Sequence, residues 1–204
     1  MKSVTFIRIP KNASTSIYAF LGDANAVRNE RFCANNPKYL NIFEPSHCTL
    51  SDAISILGDD LTSNPILAVV RNPYDRLVSM FFFAKKYNLG AIYGIDTERF
   101  DLFAEQFYDH SHDPNFFHAT SQMDFIAHDG CAPQVCRFER LDDDIESFIE
   151  RNDMGDQLSV SALKKLNGTE HSDYRDYYSE NSRAIVEKMW GDDLEHFSYT
   201  FVGD

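Results

Sequence analysis

Two short stretches of this chain carry residue types that bind anions. The first is Pro10-Lys11-Asn12-Ala13-Ser14-Thr15-Ser16, set between a β-branched and aromatic run (Val4 to Ile9) and an apolar pattern of helical spacing (Ile17, Tyr18, Phe20, Leu21) that stops at Gly22. Backbone N–H groups at the start of a helix point the same way as its positive dipole end and so attract an anion. Small hydroxylated residues let the backbone approach the charge, and one Lys reaches over it. The loop has no glycine and no Gly-Lys-Ser/Thr ending, so it is not a Walker A loop. Taken alone it reads equally well as a Ser/Thr-capped helix start with an incidental Lys. The second stretch shifts that balance. Arg71 leaves the end of the most apolar segment, Pro65 to Val70, and Ser79 lies two turns into the helix that follows. The planar Arg fork suits phosphate, and a Ser hydroxyl adds one more bond. Arg76 reads as a helix-surface cation paired with Asp75 or a neighbouring acid. Two anion sites at adjacent strand ends suggest one ligand with two separate anionic groups, held where open α/β sheets bind their ligands.

The elements that must position these residues alternate. Val4 to Ile9, Lys38 to Phe43, Pro65 to Val70 and Gln134 to Phe138 read as strands, and Pro65 to Val70 has the character of a strand buried on both faces. Helices are expected after the first loop and over Thr49 to Leu57, Tyr74 to Tyr87, Asp96 to Phe107, Asp142 to Arg151 and Ser179 to Trp190. Tyr199 to Val202 reads as a last strand. Pro73 suits the first turn of its helix, and Asp142 suits the positive end of its own. Such alternation predicts an α/β fold with a parallel sheet and helices on its faces, as a single domain over residues 1–204.

Composition excludes several classes. Apolar residues at 43% and charged residues at 25% rule out a disordered or collagen-like chain. No apolar run is long enough to span a bilayer, so no membrane segment is expected. The net charge of −13 argues against a nucleic-acid partner. That charge is uneven: residues 1–90 hold 10 Lys+Arg against 7 Asp+Glu, whereas residues 91–204 hold 9 against 25. The four cysteines, Cys33, Cys48, Cys131 and Cys136, lack zinc spacing and read as reduced thiols.

With these residues in place, the sequence resembles the PAPS-dependent sulfotransferases, particularly the carbohydrate branch that includes heparan 2-O- and HNK-1-type enzymes. Phe6 to Ser16 is similar to the family's 5′-phosphosulfate loop, and Val69 to Ser79 to its 3′-phosphate motif. Weaker matches are Arg137-Phe138-Glu139-Arg140-Leu141 and the Tyr-Arg-Asp-Tyr-Tyr run within Asn167 to Tyr178. The resemblance implies a P-loop-NTPase-like three-layer fold, with a central parallel sheet flanked by helices. It also implies PAPS (3′-phosphoadenosine 5′-phosphosulfate) as co-substrate, PAP as product and no metal. Lys11 would stabilise charge on the leaving phosphate oxygen, while Asn12, Ala13, Ser14, Thr15 and Ser16 would bind the 5′-phosphate. Arg71 and Ser79 would hold the 3′-phosphate. Lys164 and Lys165 fall near a basic segment that closes over the nucleotide, although a solvated helix end explains them as well.

Sulfuryl transfer to an alcohol needs a base for the hydroxyl proton. The heparan 2-O branch has a catalytic His at a similar distance before the 3′-phosphate motif, which makes His47 the first candidate. Glu44 is the alternative. His110, His112 and His118 are assigned to an acceptor-side loop. The expected partner is a sugar or small-alcohol hydroxyl rather than a polyanion, because the C-terminal half is acidic. A glycan on the Asn12-Ala13-Ser14 sequon would block the anion loop. A working loop therefore implies an unglycosylated, cytoplasmic protein, and a start directly at the first strand favours a bacterial-type soluble enzyme over a trimmed Golgi catalytic domain. Two rival readings are a P-loop-type small-molecule kinase and a non-catalytic nucleotide-binding module of the same fold.

Overall fold

The computed structural model describes residues 4–22, 47–113, 116–166, 168 and 171–203. They form two compact units: Met1–Val70 with Asp124–Asn167, and Arg71–Met123 with Gly168–Asp204.

The first unit holds a three-stranded parallel sheet in the order β1 (Thr5–Ile7), β2 (Ile66–Val70), β3 (Gln134–Arg137). Ile7 pairs with Ala68, and Val70 pairs with Arg137. All five residues of β2 are buried, as its unbroken apolar run requires. Leu67 and Val69 lie on the face that packs with Phe6 and Cys136 from the flanking strands. Against that face lie Ile17 and Leu21 of α1 (Ser14–Leu21) and Ile145, Phe148 and Ile149 of α7 (Leu141–Arg151). This is the α/β arrangement expected from the alternating pattern. The unit also contains α2 (Leu50–Leu57), whose Thr49 hydroxyl accepts the Asp52 N–H and which ends at Gly58 with φ of 89°. Only glycine takes that backbone state without a steric cost. Cys48, Cys131 and Cys136 are free thiols. Burial, reinforced by Asp144, pushes the Cys136 thiol up to about 12.

The second unit is helical and aromatic. α3 (Pro73–Lys86), α4 (Gly90–Tyr93), α5 (Phe100–His110) and α8 (Glu180–His196) enclose Tyr74, Leu77, Phe81, Phe103, Phe107, Phe116 and Trp190. Edge-to-face pairs recur, such as Phe81–Phe103 at 5.2 Å between centroids and Phe107–Phe116 at 5.0 Å. Phe81, Phe116 and Phe117 are buried, while Tyr87 is 47% exposed. A further short helix is α6 (Gln122–Ile126).

Three expectations change. Tyr199 to Val202 is not a strand: Thr200 and Gly203 make one antiparallel bridge, a chain reversal too short to add to a sheet. The C-terminal helix continues six residues beyond Trp190, which itself leaves helical geometry at φ −132° and ψ 34°. Arg76 is no surface cation, as detailed below. The strand expected over 38–43 lies outside the described residues.

The buried central strand should dominate stability. Leu67→Ala is expected to cost about 2–5 kcal/mol in urea denaturation. Val135→Ala on edge strand β3, at a residue 38% exposed, should cost about 1 kcal/mol or less.

Candidate active site

The anion loop leaves β1 and reaches α1 through a turn over residues 10–13. Lys11 (φ 68°) and Ala13 (φ 56°) are both left-handed, a conformation that costs an L-residue roughly 1–2 kcal/mol. The glycine-free sequence therefore takes a path for which glycine is the usual residue. Two left-handed residues within three curl the chain into a concavity of the kind in which successive N–H groups converge on an anion. Asn12, between them, is 1% exposed, and its Nδ2 donates to the Val69 carbonyl of β2 at 2.8 Å. Its side chain tethers the loop to the sheet. α1 then starts at Ser14 with no side-chain cap and no acid in its first turn, so nothing of its own offsets the positive end of its dipole.

His47 packs on the same strand-loop junction. It is 4% exposed, and its Nδ1 lies 2.6 Å from the Arg8 carbonyl oxygen. A carbonyl can only accept, so Nδ1 carries the proton and donates. In the neutral ring Nε2 is therefore the basic nitrogen. Glu44, the alternative base, lies outside the described residues.

In the second unit Arg71 follows β2 directly. Its guanidinium is paired with Asp75 one turn along α3, from Nε at 2.8 Å and from the terminal nitrogen at 2.7 Å. Asn72 caps α3 by accepting the Tyr74 N–H at 3.1 Å, and Pro73 occupies the first helical position. Ser79 is buried one further turn past Asp75.

The sulfotransferase family model matches residues 2–200, a span that contains both anion motifs and the His47 position. The chain belongs to the sulfotransferase family. It is accordingly a transferase that moves sulfuryl groups. No curated protein and no solved structure matches the chain.

Ser16 is tied to the segment bearing Lys164 and Lys165, since its hydroxyl accepts the Leu166 N–H at 2.9 Å. Both lysines are exposed, and the tether holds their segment at the first turn of α1. Ser14 is buried and Thr15 half-buried in that same turn. The weaker motifs serve packing: Phe138 joins the core of the first unit, Arg140 pairs with Asp144, and the Tyr178 hydroxyl donates to the Tyr74 carbonyl at 2.8 Å. The His110 ring packs on Phe116 and the His112 ring on Tyr108. Among the described residues no cluster of His, Cys, Asp and Glu is arranged to hold a metal ion, and no helix is long and apolar enough to cross a membrane.

Arg76 is fully buried rather than paired with Asp75. It bonds the carbonyls of His118 (3.3 Å) and Thr120 (3.0 Å) and lies 4.6 Å from the Trp190 ring centroid. Burial pulls its guanidinium down to about 10, while Asp193 opposes that shift. Asp75 is held by Arg71 instead, which frees Arg76 to turn inward. Gln122, which bonds the Arg71 backbone from far along the chain, and Asp193, which bonds the Gln122 and Met123 N–H groups, have no local sequence signature.

The strained loop makes a stability test. Ala13→Gly should raise stability by about 0.5 kcal/mol, because relief of the left-handed cost outweighs the extra chain entropy of glycine. Asn12→Ala should lower stability by about 1–3 kcal/mol by leaving the Val69 carbonyl without that donor. Thermal and urea unfolding measure both.

Proposed function

We propose that this sulfotransferase, acting as one catalytic domain, takes its sulfuryl group from PAPS and gives it to the hydroxyl of a neutral sugar or small alcohol. The observation that carries this reading is the curled, Lys-bearing loop that Asn12 fastens to β2, two residues before Arg71 leaves the strand. PAPS supplies a sulfuryl group already activated on a phosphate leaving group. Loop N–H groups of residues 12–16 would bind the 5′-phosphate, Arg71 and Ser79 the 3′-phosphate, and Lys164 and Lys165 the nucleotide's outer side. As the acceptor oxygen forms its bond to sulfur and the sulfur–phosphate oxygen bond breaks, His47 Nε2 would take the hydroxyl proton. Lys11 would face the charge growing on the departing phosphate oxygen.

Three observations support these roles. The Arg8 carbonyl fixes the His47 tautomer that leaves Nε2 basic. The uncapped start of α1 suits an anion. The excess of acids over residues 91–204 would repel a polyanionic acceptor. Asn12 glycosylation would break its bond to Val69, so we place the enzyme in the cytoplasm, where that sequon is never presented to glycosylation.

Two measurements test the reading. PAP at a hundred times its Kd should stabilise the protein by about 2.7 kcal/mol without Mg²⁺, and ATP should not match it; the opposite order would favour a small-molecule kinase. Lys11→Ala and His47→Gln should each lower kcat about 100-fold or more with folding intact. Near wild-type turnover in either variant would remove that residue from the chemistry, and binding of PAP with no turnover of any acceptor would leave a nucleotide-binding module.

A further inference from the structure

The Arg71 backbone is gripped by a side chain that belongs to neither anion motif. The Arg71 N–H donates to Gln122 Oε1 at 2.8 Å, and Gln122 Nε2 donates back to the Arg71 carbonyl at 2.9 Å. A planar amide thus makes the two bonds that another strand would have made, on a residue just past the end of the sheet. Gln122 is itself fully buried and held by Asp193 of α8: the Gln122 N–H donates to Asp193 Oδ2 at 2.8 Å, and the Met123 N–H donates to Oδ1 at 2.9 Å. Both carboxylate oxygens of Asp193 are therefore committed to the first turn of α6.

Asp193 has no solvent exposure. Burial raises its pKa, while Arg76 and the two N–H bonds act in the opposite direction. Trp190, one turn earlier on α8, stacks beneath Arg76 and donates from Nε1 to the Ala119 carbonyl at 2.8 Å. Its non-helical backbone marks the kink after which Asp193 is presented. A buried carboxylate that holds a buried amide, which in turn makes two bonds to the Arg71 backbone, is an expensive arrangement for mere packing.

We propose that Gln122 and Asp193 are positioning residues for the 3′-phosphate subsite: Asp193 fixes Gln122, and Gln122 fixes the Arg71 backbone from which the phosphate-binding guanidinium projects. This inference rests on the assignment of Arg71 to the 3′-phosphate. The guanidinium is already oriented at its far end by Asp75. With the backbone clamp at the other end, Arg71 is constrained at both ends before ligand arrives, and that preorganisation lowers the entropy lost on binding.

The experiment compares PAP with adenosine 5′-monophosphate, which differs only in lacking the 3′-phosphate, by calorimetry on wild type, Gln122→Met and Asp193→Asn. Gln122→Met keeps the side-chain volume but makes neither bond. We expect it to weaken PAP binding about tenfold, the equivalent of losing one well-formed buried hydrogen-bond pair, and to leave the monophosphate within about twofold. Asp193→Asn should shift PAP in the same direction by a smaller factor, and the KM for PAPS should rise more than kcat falls in both. A purely structural defect would lower both nucleotides together or only the active fraction, which the ratio of the two affinities does not register. Should Gln122→Met not fold, Gln122→Glu, which keeps the acceptor for the Arg71 N–H but loses the donor, gives the same comparison. An unchanged PAP-to-monophosphate ratio in folded variants overturns the positioning role alone. A wild-type protein with no preference for PAP overturns the 3′-phosphate assignment itself.

Discussion

A parallel strand buried on both faces has to satisfy its backbone past the point where its neighbours stop, and no water reaches it there. β2 meets this constraint with side-chain amides. Asn12 donates to the Val69 carbonyl within the first unit, and Gln122 makes a two-point bond with Arg71 within the second. The two residues that finish the strand's hydrogen bonding thus also fix the two motifs proposed to carry the chemistry. Loss of either amide would leave a buried backbone group unmet and release a segment proposed to bind the ligand at once, so stability and the proposed chemistry are joined at the end of this one strand.

The anion loop shows the same economy under strain. A loop that must curl in three residues ordinarily uses glycine. Here Lys11 and Ala13 enter the left-handed region, and the cost is met by a buried Asn bonded to the sheet and by an α1 that packs Ile17 and Leu21 into the core. An Ala in place of Gly narrows the range of loop conformations in the unfolded chain as well as the folded one. Lys11 gains a fixed departure direction from the same geometry, which a flexible glycine loop would not give it.

Much of this was legible in the residues. Alternating strand, loop and helix signals placed β1, β2, β3, α1 and α3 within a few residues, because a doubly buried strand and a Pro-started helix have strong local signatures. The two stretches proposed to bind anions stand out for a related reason: each is contiguous. The parts that eluded the sequence are those made by distance along the chain. Gln122 meets Arg71 across 51 residues, Asp193 meets Gln122 across 71, and neither sits in a pattern that periodicity or motif reading isolates. Arg76 departs from its expected place because a charged residue on an amphipathic helix is ordinarily solvated; the Trp190 face, two backbone carbonyls and the charge of Asp193 help make its burial tolerable. The short tail failed as a strand because propensity without a neighbouring edge forms nothing.

The pairing of Arg71 with Asp75 bears on how a ligand phosphate would be received. A guanidinium with a 7% exposed side chain needs a counter-charge in the empty protein, and Asp75 provides it at the cost of some attraction for an anion. Asp75 in turn lies 3.9 Å from Nε2 of His171, whose ring stacks on Phe82. A dianionic phosphate arriving at Arg71 would therefore meet a cation whose fork Asp75 has already aligned. Alignment of this kind favours an oxyanion that offers two oxygens to the fork over a mobile monovalent one, and so gives selectivity rather than raw affinity.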